Sequence, residues 1–181
     1  MSKALGKDIN EFYNNHFPEG WFHDFNIDPN EDGKTHINIY SKGKTALGRF
    51  LTNFAKHEVV LPEGTFQSLE GYWYYLTTKE KPSELFDLSG FEAKKLGMML
   101  TQLKVPQEEF QAKIKKAMDL KIKSSPYWLE EFTKSELPFV HYYVFKGVVK
   151  DVTDQYRWIM NHWEARRSLL KERQKRNANQ S

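Results

Sequence analysis

Apolar residues recur at helical spacing in parts of this chain and alternate with polar ones in others. Ile9, Phe12, Tyr13 and His16 repeat every three to four residues and predict a short first helix. Residues 18 to 33 are rich in Pro, Gly, Asp and Asn and read as loop. His36 to Tyr40 alternates polar with apolar and predicts a strand. A second strand is expected at residues 58 to 61, stopped by Pro62-Glu63-Gly64. The two are candidates to pair across the intervening Gly43 to Phe54 segment.

From Ser68 onward the period becomes helical. Ser68 is placed to N-cap a helix from Leu69 to about Thr78, which Lys81-Pro82 ends. Ser89-Gly90-Phe91-Glu92 has the spacing of a capping box and opens a helix through Leu96, Met99 and Leu100. Pro106 suits the first position of the next helix, whose apolar face is Phe110, Ile114, Ala117 and Met118. Its Glu108 and Glu109 at one end, and Lys121 and Lys123 at the other, complement the helix dipole. Pro126 begins a short helix to about Thr133. Residues 138 to 145 form the richest strand-like run, with Lys146-Gly147 as its turn. A last helix starts near Asp154, with Tyr156, Ile159, Met160 and Trp163 on one face. The pattern predicts a mainly α fold with a few short strands. It is read as one domain over residues 1 to 170, followed by a basic, frayed tail over 171 to 181.

Composition narrows the chemistry. The chain has 181 residues, enough for one core without covalent staples. It has no Cys, which excludes disulfides, thiolate zinc sites and a cysteine nucleophile. No apolar run approaches a membrane span, and residues 1 to 8 show no signal-peptide core, so the expected location is cytoplasmic, without a membrane partner. The net charge of +3 is spread through the chain. The exception is the basic C-terminal segment of Arg166, Arg167, Lys171, Arg173, Lys175 and Arg176, read either as a solvated helix end or as a nucleic-acid contact.

Several familiar sites are missing from the sequence. It has no phosphate-binding Gly-rich loop of either common type and no Gly-x-Ser-x-Gly elbow. Its six His are scattered without a His-x-x-x-His pair, so neither a histidine metal site nor a cofactor is expected. What remains is Gly48 to Phe54, followed by Thr65 to Tyr75. The second stretch sets one carboxylate, Glu70, at a helix start among aromatic residues. A carboxylate beside an anomeric carbon stabilises an oxocarbenium-like transition state or activates water. The flat faces of Phe54, Trp73 and Tyr74 suit a base. Asn53 and Arg49 suit ribose hydroxyls or phosphate. A first-turn Glu is also favoured by the dipole whatever its function, and Tyr72 to Tyr75 cannot all face one way on a helix.

The order of these segments resembles the NADAR (YbiA-like) family of N-glycosidases. Leu51-Thr52-Asn53-Phe54 is similar to that family's Leu-Ser-Asn-Phe element, and Val59 to Glu70 to the strand, turn and Ser/Thr-x-Glu that follow. Tyr72, Trp73 and Tyr74 stand where the family has its aromatic residues. Glu92-Ala93-Lys94-Lys95-Leu96-Gly97 matches its next helix, and residues 114 to 121 with Leu129 and Thr133 resemble its Leu-x-x-Thr stretch. The resemblance covers roughly residues 37 to 145. It implies a YbiA-like fold and hydrolysis of an N-glycosidic bond in an ADP-ribosylated base or related ribosyl-amine compound, with Glu70 as the leading catalytic carboxylate.

One departure bears on the second catalytic group. The family's acidic residue ahead of a Trp-Gly pair is replaced here by Phe139 to Tyr143, then Asp151, Asp154 and Trp158 without the Gly. Asp154, Asp151 and His141 are the candidates for that role. His141 reads equally as a hydrogen-bonded strand histidine. The same departure keeps two other readings open. One is an inactive module that binds nucleotide or ADP-ribose. The other is a protein associated with modified nucleic acid through its basic tail.

Overall fold

The computed structural model describes residues 27–179. The expected first helix around Ile9 to His16 lies outside the described residues. Among the described residues the chain is mainly helical, about 53%, with seven α-helices and a few short strands. It folds as two compact units: Ile39–Ser135, and the residues up to Asn38 together with those from Glu136. The periodicity of the sequence gives no sign of this division.

The first unit is the uninterrupted stretch. Helix α1 (Ala46–Leu51) is capped by Thr45, whose hydroxyl accepts the Gly48 N–H. Strands β2 (Val59–Leu61) and β3 (Gly64–Phe66) form an antiparallel hairpin. The candidate pairing of 58–61 with 36–40 is not made among the described residues, where β2 and β3 form a sheet of two strands. The short Pro62-Glu63 connection favours the local partner, because a tight turn costs little closure entropy. Helix α2 (Leu69–Thr77) follows, with Ser68 accepting the Gly71 N–H as its cap. Next come α3 (Glu84–Asp87), α4 (Gly90–Met99), α5 (Gln107–Lys123) and α6 (Pro126–Lys134). The expected capping box at Ser89 is not made: the Ser89 side chain caps nothing and Gly90 stands at φ +55°. Pro106 lies at the N-cap rather than the first helical position.

The core of this unit is aromatic and aliphatic. Phe66 is fully buried and packs against Tyr72, Tyr75 and Phe86. Helix α5 contributes Phe110, Ile114, Ala117, Met118 and Ile122, all buried. Two glycines permit close helix contacts. A Cβ on Gly71 would stand 2.2 Å from the Leu85 carbonyl oxygen, and one on Gly97 would stand 2.0 Å from the Tyr74 ring.

In the second unit, β1 (Ile37–Asn38) pairs in parallel with β4 (Phe139–Val140). Strands β5 (Tyr142–Phe145) and β6 (Val148–Asp151) form a hairpin. Its two-residue turn, Lys146-Gly147, has both φ values positive, at 48° and 77°, which matches the twist of a tight hairpin. Helix α7 (Arg157–Ala178) buries Ile159, Met160, Trp163 and Ala165. It begins three residues after Asp154 and continues through Lys171 to Ala178, where the sequence reading expected a frayed tail. Buried Glu164 on α7 accepts the Phe139 N–H at 2.8 Å and pairs with Arg167. Arg167 in turn donates to the Leu137 carbonyl at 2.8 Å and lies over the Phe139 ring.

Candidate functional site

The candidate site is built where the loop after α1 meets the start of α2. The first turn of a helix exposes backbone N–H groups that no helical carbonyl can reach. Here two of them are supplied from outside the helix. Ser68 takes the Gly71 N–H at 3.1 Å, and the Asn53 main-chain carbonyl takes the Glu70 N–H at 2.9 Å. Ser68 also donates its hydroxyl to the Leu88 carbonyl, tying the start of α2 to the segment before α4. Asn53 and Glu70 are thus brought together by a hydrogen bond that also orders the helix start.

Glu70 is half-buried, and burial pushes its carboxyl up to about 7. The Lys94 ammonium on α4 pulls in the opposite direction. Among the described residues no hydrogen bond holds the carboxylate, so desolvation dominates. A carboxyl poised near neutrality is suited to proton transfer. Lys94 also sets its Nζ over the Phe54 ring, 5.8 Å from the centroid. Glu70, Asn53, Phe54 and Lys94 therefore form one connected group. The sequence reading placed Lys94 inside a matched segment without assigning it to the site; its signal was three residues' separation from Gly97 on the α4 face that meets α2.

The remaining expected residues have other engagements. Trp73 packs edge-on against Phe110 at 4.7 Å, and the Tyr74 ring lies against Gly97. Both spend ring surface on helix packing, and Phe54 is the aromatic residue associated with Lys94. Arg49 is exposed and donates from one guanidinium nitrogen to the carbonyls of Gly43 and Lys44, at 2.8 and 2.7 Å. That nitrogen is committed to its own loop.

His141 and Asp154 belong to the second unit. The His141 ring is half-buried, within 3.2 Å of the Tyr143 hydroxyl and edge-on to Tyr143 and Tyr156. Its backbone N–H donates to Thr153 Oγ1 at 3.0 Å. Asp154 is exposed and ion-paired with Arg157. No group of three or more His, Asp or Glu among the described residues is arranged to hold a metal ion.

A residue the sequence reading treated only as a helix-end cation sits behind the site. Lys121 on α5 is fully buried, and its Nζ donates to the Thr52 carbonyl at 2.8 Å. The ammonium also lies 4.8 Å over the Phe50 ring, which stacks on Trp128. Burial lowers its pKa to about 7. Its position was visible in principle, because residue 121 continues the apolar spacing of Ile114, Ala117 and Met118.

Among the described residues no helix is long and apolar enough to cross a membrane. In comparisons with family models, curated proteins and solved structures, the chain has no match.

Proposed function

We propose that this chain is an N-glycosidase of the NADAR (YbiA-like) type, hydrolysing an N-glycosidic bond in an ADP-ribosylated base or related ribosyl-amine compound. The observation that carries the reading is the Glu70 carboxyl, raised to about 7 and joined to Asn53, Phe54 and Lys94. Around neutral pH it is partly ionised and partly protonated, the condition in which a carboxylate is most useful as a general base. In the reaction the C1′–N bond breaks, and the departing base keeps the electron pair and takes a proton from solvent. Water bonds to C1′ and gives its proton to Glu70, which returns it to solvent. Phe54 supplies an apolar face for the base, and the Asn53 amide a donor and acceptor for ribose hydroxyls. Lys94 offers a cation for a phosphate or for developing negative charge.

The second reading is a module that binds ADP-ribose-like ligands without hydrolysis. It is favoured by Asp154, one of the candidates for the missing acid, whose carboxylate is exposed and held by Arg157. One experiment separates the two. Release of guanosine and ADP-ribose from ADP-ribosylated guanosine is measured for the wild type and for Glu70→Gln, with binding of ADP-ribose followed by calorimetry. Hydrolysis by the wild type that falls about a hundredfold or more in the variant supports the enzyme. Binding without hydrolysis in the wild type supports the module.

A further inference from the structure

We propose that Lys121 is a positioning residue for the Asn53–Glu70 site, its ammonium pinning the Thr52 carbonyl and, through it, the loop that caps α2. The inference deepens the functional reading above, but its first test does not depend on catalysis. Thr52 is the residue that ends α1, and Asn53 is the next in the chain. The Thr52 carbonyl accepts from Lys121 at 2.8 Å and the Asn53 carbonyl accepts from Glu70 at 2.9 Å. Two successive carbonyls thus connect α5 to the start of α2.

Stability alone does not explain a lysine here. The Thr52 carbonyl also accepts the Ala55 N–H at 3.2 Å, so it has a partner without Lys121. The ammonium is desolvated, and among the described residues no carboxylate pairs with it. A methionine fills similar volume without burying a charge, and such replacements are often neutral or stabilising. What the methionine lacks is a charge-assisted donor that fixes where the carbonyl stands. The ionisable group facing Lys121 from the neighbouring loop is His57. Its Nε2 lies 2.7 Å from Ser124 Oγ, and its pKa is lowered by burial and by Lys121 while Glu58 opposes this.

The test is amide hydrogen exchange in Lys121→Met, read residue by residue. The expected result is exchange at the Glu70 amide faster by tenfold or more, with the amides of Ile114 to Met118 and the melting temperature kept. Unchanged protection at Glu70 in the folded variant overturns the proposal. If that variant does not fold, Lys121→Leu supplies the second measurement with the same readout: faster exchange at the Glu70 amide supports the pin, and wild-type protection there overturns it. In the hydrolysis assay, Lys121→Met is expected to lose at least tenfold in kcat with KM little changed. A wild type that turns over no substrate while the Glu70 amide still responds to Lys121→Met refutes the N-glycosidase reading and leaves the positioning role standing.

Discussion

The Asn53 carbonyl and the Glu70 N–H meet at 2.9 Å, so the residue expected to bind ribose is also part of the cap that orders the candidate carboxylate. Changes to the loop are therefore felt at Glu70 through the backbone as well as through any ligand.

The raised carboxyl makes stability depend on pH. Glu70 has a reference value of 4.5 and a folded value of about 7, so the folded chain holds the proton more tightly. Its contribution is fully present below about pH 4.5 and is lost as pH rises through about 7. Glu70→Gln is neutral throughout and escapes that loss. Urea unfolding at pH 5 and pH 8 is expected to show the variant gaining on the wild type by at most about 3 kcal/mol, less to the extent that solvent reaches the carboxyl. Parallel pH dependence in the two proteins contradicts this assignment.

Lys94 holds the Glu70 carboxyl down against the effect of burial. Lys94→Met removes that pull and raises the Glu70 pKa further. If Glu70 acts as base, the rise of kcat/KM with pH moves upward by about one pH unit or less. The check is a rate profile from pH 5 to 9 for both proteins. A profile that keeps its midpoint separates Lys94 from Glu70.

Gly71 has backbone, not a flexible side chain, in the space a methyl would need: the Leu85 carbonyl oxygen. Gly71→Ala is expected to lower stability by roughly 2 kcal/mol or more, by the cost of overpacking. At Gly97 the nearest atom is Tyr74 Cγ at 2.0 Å, the root of the ring, which turning the ring does not move, so Gly97→Ala is expected to cost at least as much. Thermal melts of the two variants order these effects.

In the other unit, Glu164→Ala leaves the Phe139 N–H without its acceptor and Arg167 without its carboxylate. Breaking a buried pair from one side costs about 3–5 kcal/mol. Replacing the residue by Gln retains an acceptor for Phe139 and is expected to cost less. Chemical denaturation measures both.

Features set by neighbours in sequence were legible before the structure. The helix after Ser68 begins where expected, because one side chain and one amide three residues on decide it. The β5–β6 turn at Lys146-Gly147 was legible for the same reason. The capping box at Ser89 was not, because composition does not reveal that Gly90 takes a positive φ at the helix start. Pairing across the chain was also out of reach: Ile37 meets Phe139, and alternation carries no information about a partner so distant. At the candidate site, Glu70 and Asn53 could be singled out by residue type and resemblance. Lys121 was missed because a lysine near a helix end is ordinarily solvated; its place in the apolar spacing was the one signal, and the packing of Phe50 and Thr52 around it gives that signal its meaning.

The parallel pairing of β1 with β4 also imposes an order of events during synthesis. Ile37-Asn38 leaves the ribosome with no strand to join until Phe139-Val140 has been made. In the interval the whole of Ile39–Ser135 is made, with the partners of Glu70, Asn53, Lys94 and Lys121 inside it. Translation thus gives the stretch holding the candidate carboxylate a head start in assembling while its flanking strand is still waiting.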